Sequence, residues 1–207
     1  MWNNRSLVAQ LTSEHVLIVL TSTLVAIAIG VPSGIAMSRR PKLMKPVLTF
    51  ANVVQTIPSL ALFGFLIPLP FLGGIGATTA VVALVLYSLL PIIRGTFAGI
   101  SGVDPGVREA GRGMGMTEAQ LLWHVELPLA LPVIFSGIRV ATVVAVGVAT
   151  IAAAVGAGGL GMFIYRGVSM IDNRLILAGA IPAALLALTA DWCLGALERS
   201  FMRRTHR

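Results

Sequence analysis

Residues 46–93 carry no charged side chain, and neither do residues 16–38. This feature rules out most folds. A soluble domain of ordinary composition has about one charged residue in four, whereas a bilayer core about 30 Å thick is crossed by a helix of about 20 apolar residues. The shorter run suffices for one span and the longer for two. The whole chain is 57% hydrophobic and 11% charged, with mean hydropathy +0.92. The expected fold class is therefore an all-α integral membrane protein, a single transmembrane domain over residues 1–207 with about five transmembrane helices. The 22 glycines and few aromatics suit close helix–helix approach in lipid.

The spans are expected at about 16–38, 47–67, 76–94, 129–154 and 175–194, the second and third joined by a tight turn at Phe71-Leu72-Gly73-Gly74-Ile75-Gly76. Gly30, Pro32 and Gly34 imply a bend or a tight helix contact near the end of the first. Residues 1–15 are polar and too short for a domain; Trp2 suits a membrane interface. The first apolar run is not a signal peptide, because its basic residues follow it rather than precede it. Arg39, Arg40, Lys42, Lys45, Arg94, Arg108, Arg112, Arg199, Arg203, Arg204 and Arg207 fall on one side of the membrane; Arg5, Arg166 and Arg174 fall on the other. The positive-inside rule then puts the C-terminus in the cytoplasm and the N-terminus outside. The +7 net charge clusters beside apolar blocks, so membrane lipid is the expected contact and nucleic acid is not. The single cysteine, Cys193, forms no intrachain disulfide, and no Cys/His spacing suits a metal.

The longest polar interruption between apolar blocks is Glu109 to Pro128, EAGRGMGMTEAQLLWHVELP. With its approach it forms a loop over about residues 104–128, expected to be two short cytoplasmic helices. Asp104-Pro105 is a helix start, with Asp as N-cap and Pro at the first helical position. Gly113 and Gly115 end that helix. Thr117 and Gln120 form a capping box that starts another, with Leu121, Leu122 and Val125 on an apolar face. Leu127-Pro128 leads into the next apolar block.

The pattern Glu109-Ala110-Gly111, three residues, Gly115, nine residues, Val125-x-Leu127-Pro128 resembles the EAA signature of permease subunits in binding-protein-dependent ABC importers. That signature runs Glu-Ala-Ala, three residues, Gly, nine residues, Ile-x-Leu-Pro. Gly111 and Val125 depart from it, and Gly111 costs the first helix up to about 1 kcal/mol relative to Ala. The resemblance extends over about residues 15–195. Asn52-Val53-Val54-Gln55-Thr56-Ile57-Pro58-Ser59-Leu60-Ala61, Leu89-Leu90-Pro91-Ile92, Gly113-Met114-Gly115-Met116-Thr117 and Gly156-Ala157-Gly158-Gly159-Leu160-Gly161 look like the glycine betaine, carnitine and choline branch, although methionine-type permeases share some of these stretches.

The resemblance implies a type I importer permease core that works by alternating access. Its implied partners are a cytoplasmic ABC ATPase subunit, a second permease subunit (this chain or a relative) and an extracytoplasmic solute-binding protein, in a bacterial inner membrane. ATP and magnesium belong to the ATPase. This chain binds no cofactor of its own, and its only lysines, Lys42 and Lys45, lie in no phosphate-binding loop. The implied ATPase contacts are Glu109, Ala110, Gly111 and Gly115. Leu121, Leu122, Val125, Leu127 and Pro128 pack the loop onto the spans or into the partner.

For the path, Asn52, Gln55, Thr56 and Ser59 are polar within a span, and polar groups do not face lipid cheaply. They line the path or bond across helices. Pro58 and Pro91 free backbone carbonyls for the path or bend helices for packing. Tyr87 either meets a methylated ammonium through its ring face or is a buried aromatic bonded to a neighbour. Arg139 and Asp191 are charges within spans, so each is paired or in a wet cavity; Asp191, within about one turn of the inner end of its span, can reach water, and a pair between the two requires tilted helices. A path-facing Arg139 repels a quaternary ammonium but suits the carboxylate of a betaine. Gly156 to Gly161 fits a dinucleotide-binding pattern, but it follows a long apolar span rather than a strand, so a Gly-rich turn on the outer side is expected. No catalytic constellation exists. An importer of another small solute, such as an amino acid, stays open at this stage, as do an ATP-independent channel or carrier and a purely structural membrane subunit.

Overall fold

The computed structural model describes residues 5–70 and 73–205. Trp2, Phe71, Leu72 and Arg207 lie outside the described residues. Among the described residues the chain is mostly helical, with turns between the helices and no strand. Nine α-helices follow in order: α1 Arg5–Arg39, α2 Met44–Thr56, α3 Ser59–Leu66, α4 Ala77–Ser101, α5 Pro105–Gly113, α6 Glu118–Leu121, α7 Leu127–Ala152, α8 Gly161–Met170 and α9 Asn173–Thr205. Four helical stretches are long and apolar enough to cross a membrane, in α1, α4, α6–α7 and α9; α2 and α3, counted as one bent span, make a fifth.

The second expected span is not a straight rod. The axes of α2 and α3 meet at 104°. Proline disfavours helical angles in the residue before it, and Ile57 is extended (φ −73°, ψ 126°) immediately ahead of Pro58. With 13 and 8 residues, the two pieces are about 20 and 12 Å long, each short of the bilayer core. The first helix also departs from expectation. It begins by Arg5 and runs for 35 residues, so the polar stretch before Val16 extends the rod rather than preceding it.

α4 is the central post. It packs on α1, α2, α3 and α7, while α7 also packs on α9 and α8 lies along α9. Small residues set these distances. A Cβ added at Gly30 or Gly34 of α1 would meet Ile92 or Thr96 at 2.8 or 2.6 Å, so this pair makes a helix contact with α4. Where α4 crosses α7, a Cβ at Gly137 would lie 2.6 Å from the Pro91 carbonyl oxygen. In lipid, where the hydrophobic drive between helices is weak, such close backbone approach supplies packing energy.

The Gly-rich segment after α7 is a turn, as expected, with positive φ at Gly156, Gly158 and Gly159. It closes over the first third of α1. Gly159 N donates to Glu14 (3.2 Å), and buried His15 lies against the Val146 carbonyl (3.2 Å). The ten-residue helix α8 was not foreseen, because its glycines masked the helical spacing.

Candidate functional site

The loop from Asp104 to Pro128 builds itself from local rules. Asp104 Oδ1 accepts from Gly106 N at 2.6 Å, and Pro105 opens α5. After Gly113 the chain reverses through Gly115, whose φ of +81° is the left-handed conformation that glycine takes at least cost. Thr117 and Gln120 complete the capping box in both directions. The second short helix, however, is not a separate element. α6 passes into a π-helical turn, Leu122–Glu126, and then into α7 without a break. The fourth span therefore starts inside the loop. π-turns often mark functional positions within helices.

The two arms of the loop are clamped by an apolar contact and by charge. Leu121 is fully buried. A Cβ added at Gly111 would lie 2.7 Å from its Cδ1, so the glycine found where the signature has alanine makes room for this side chain. Arg112 Nε donates to Glu118 at 3.0 Å, and this bond raises the Arg112 pKa above its ordinary value. Leu122 and Leu127 pack on the spans and Val125 is half-buried, whereas Pro128 is exposed. Glu109 and Ala110 are exposed on α5, flanked by Val107 and by Met114 at 72% exposure. An exposed helix with a carboxylate, a small residue and apolar neighbours is suited to gripping by a protein groove.

The sequence reading passed over Glu126. It occupies the unspecified position of Val-x-Leu-Pro, yet it is fully buried. Arg39, the last residue of α1, pairs with it through Nη2, and Arg108 Nε of α5 lies 2.9 Å from its Oε1. Arg39 also reaches Glu118 at 3.3 Å. A carboxylate within an apolar heptapeptide was the available signal, but partners 87 and 18 positions away do not show in spacing.

The residues expected along a path divide. Asn52 Oδ1 accepts from Arg94 at 2.8 Å, and Gln55 Nε2 donates to the Tyr87 carbonyl at 3.0 Å. The second bond has a clear cause. Proline at 91 lacks the N–H that would close the helix onto Tyr87, four residues earlier, and Gln55 supplies a donor instead. The Tyr87 hydroxyl donates to the Ile57 carbonyl at the α2–α3 break, and the tyrosine is buried. These three side chains stitch the bend to α4. Thr56 and Pro58 are exposed and Ser59 half-buried at the bend itself. Arg139 is paired. Nε and Nη2 meet Asp191 Oδ1 and Oδ2 at 2.6 and 2.7 Å, and Nη1 lies 3.4 Å from Glu198. Asp191, Gly195 and Glu198 share one face of α9, and a Cβ at Gly195 would approach the guanidinium carbon to 3.2 Å. Among the described residues no group of His, Cys, Asp and Glu could hold a metal ion.

Comparison with known proteins agrees with this architecture. The chain is 50% identical over 200 residues to the osmoprotectant import permease protein OsmW of Salmonella typhimurium, covering 96% of this chain and 93% of that one. It is 46% identical over 196 residues to the carnitine transport permease protein OpuCB of Listeria monocytogenes, covering 95% and 88%. It is 43% identical over 188 residues to the glycine betaine/carnitine/choline transport system permease protein OpuCB of Bacillus subtilis, covering 91% and 85%. Among solved structures, a chain of the MetNI methionine ABC transporter in an inward-facing conformation superposes with TM-score 0.86 at 25% identity, covering 97% of this chain and 99% of that one. The family model for the binding-protein-dependent transport system inner membrane component matches residues 26–203, and this chain belongs to that family.

Proposed function

We propose that this chain is the membrane-spanning permease subunit of an ATP-driven importer, and that it carries a compatible solute such as glycine betaine, carnitine or choline into the cell by alternating access. The observation that carries the coupling role is α5, an exposed helix held by its own caps and by the Gly111–Leu121 contact, with Glu109 and Ala110 facing outward. The groove of a cytoplasmic ATPase takes this helix, and Gly115 sets its angle to α7. ATP and magnesium act on that ATPase, and this chain passes the motion on. The solute class rests on the relatives named above, which are permeases for osmoprotectants, carnitine and choline.

The loop end is cytoplasmic and the end bearing Glu14, Gly156–Gly161 and Ile171 faces outward, where a solute-binding protein delivers cargo. The Lys/Arg asymmetry supports this sidedness. A second permease subunit completes the path. Thr56, Pro58 and Ser59 at the bend face that path, while Asn52, Gln55 and Tyr87 build the bend and Arg139 braces α7 against α9. A carrier driven by an intramembrane carboxylate has less support, because Asp191 is committed to Arg139.

The test is uptake of radiolabelled glycine betaine, carnitine and choline into proteoliposomes. These hold the chain with its ATPase and binding protein, and Glu109→Lys is run in parallel. ATP-dependent uptake that the substitution abolishes, with the chain still inserted, is the expected result. Uptake of a different solute refutes the solute class, and uptake independent of ATP refutes the importer.

A further inference from the structure

Glu126 is the one fully buried carboxylate among the described residues, and its two partners come from different elements. Arg39 ends α1. Arg108 belongs to α5, and its Nη2 also donates to the Ile100 carbonyl near the end of α4. Glu126 closes the π-helical turn that leads into α7. One carboxylate thus ties together α1, α4, α5 and α7 at the loop end of the molecule. The ion pair within the loop itself is exposed by contrast: Arg112 is 52% and Glu118 61% exposed.

The physical consequence concerns force. A buried carboxylate stripped of its cationic partner is strongly unfavourable, so a displaced α5 draws Glu126 with it rather than leaving it behind. The π-turn interrupts the α-helical hydrogen-bond register between α6 and α7, and the ion pairs span it. The apolar Gly111–Leu121 contact holds α5 to α6 but does not reach α1.

We propose that Glu126, with Arg39 and Arg108, is the joint that passes displacement of α5 to α1 and α7, making Glu126 a positioning residue of the transport step. This rests on the reading of α5 as the ATPase contact. The experiment measures ATP hydrolysis and solute uptake in the same proteoliposomes containing the chain, its ATPase and its binding protein. For Glu126→Gln, the number of solutes moved per ATP falls about tenfold, within the range of typical coupling energies, while hydrolysis continues with unchanged KM for ATP. Arg108→Gln serves as the second variant. It leaves Glu126 compensated by Arg39, so the fold is retained, and it lowers the same ratio. Arg108→Lys keeps the charge and restores much of it. A wild-type ratio in Glu126→Gln or Arg108→Gln overturns the joint. So does a proportional fall of uptake and hydrolysis in both variants, which marks Glu126 as a brace for assembly only. With glycine betaine, carnitine and choline as the solutes, wild-type vesicles that take up none of them with ATP refute the proposed solute class before any variant is compared, and wild-type uptake that ignores ATP refutes the reading of α5.

Discussion

Gly115 offers a test of whether one backbone angle bears on the proposed activity. At φ +81° with no atom within 4 Å of where its Cβ would stand, the position is open in space but closed in conformation. Substitution there is a test of backbone preference without any steric clash. Asparagine tolerates the left-handed region better than other residues with a side chain, and β-branched residues tolerate it worst. ATP-driven uptake should therefore fall in the order Gly, Asn, Ala, Val, with Ala costing the loop about 1 kcal/mol or more. Equal uptake in Asn and Val variants would show that the reversal angle is not what the signature glycine supplies. Arg139 and Asp191 form a second residue-level case: Arg139→Met strands Asp191 at a span, whereas Asp191→Leu leaves Arg139 with Glu198 alone. Arg139→Met and Asp191→Leu should each lower the thermal midpoint of the purified protein, with the double variant above Arg139→Met, since it removes the stranded Asp191. A double variant below Arg139→Met would mean that the fork to Asp191 adds nothing beyond its separate parts.

At the scale of elements, the bend between α2 and α3 and the proline in α4 are two halves of one device. Pro58 turns the chain, Pro91 leaves the Tyr87 carbonyl without its helical donor, and Gln55 fills the vacancy. Gln55→Leu should thus destabilise the helix pair by about 1–3 kcal/mol, the usual cost of an orphaned polar group. Placed on Pro91→Ala, which restores the helical N–H, the same change should cost much less. Thermal unfolding of the four proteins in detergent measures this coupling, and additive effects would refute it. The loop is another element whose parts differed in legibility. The Asp104 cap, the Thr117–Gln120 box and the Gly115 reversal were readable because each is a contact between near neighbours in sequence. The continuity of α6 with α7 was not, because Pro128 suggested a boundary, although a proline at the first turn is compatible with a helix.

For the whole molecule, contacts between distant segments define two ends. Arg39, Arg108 and Glu126 meet at one, while Glu14, Gly159, Gly76 and Val155 meet at the other. A helix of 35 residues such as α1 is about 50 Å long at the helical rise, so it joins both ends with length to spare. The assigned sidedness is checked by labelling with a membrane-impermeant maleimide. With Cys193→Ser as background, a cysteine at position 171 should react in intact spheroplasts, and one at position 104 only after permeabilisation. The reverse pattern would invert the molecule and remove α5 from the reach of a cytoplasmic ATPase.

The membrane class, four of the crossing helices, the caps of the loop and the family resemblance were all legible in the chain. Each follows from runs of apolar residues or from partners within a few positions, and hydrocarbon forces a backbone to satisfy itself locally. Pairings across the bundle were not fixed by the chain: Arg139 with Asp191 was one open possibility among several, and Gln55 with the carbonyl freed by Pro91 and Glu126 with Arg39 and Arg108 were not legible. A polar side chain in a span must find a partner, and its type announces that need. Which partner it finds depends on helix rotation and on the close crossings at Gly30, Gly95 and Gly137, and these exist only once the helices have packed.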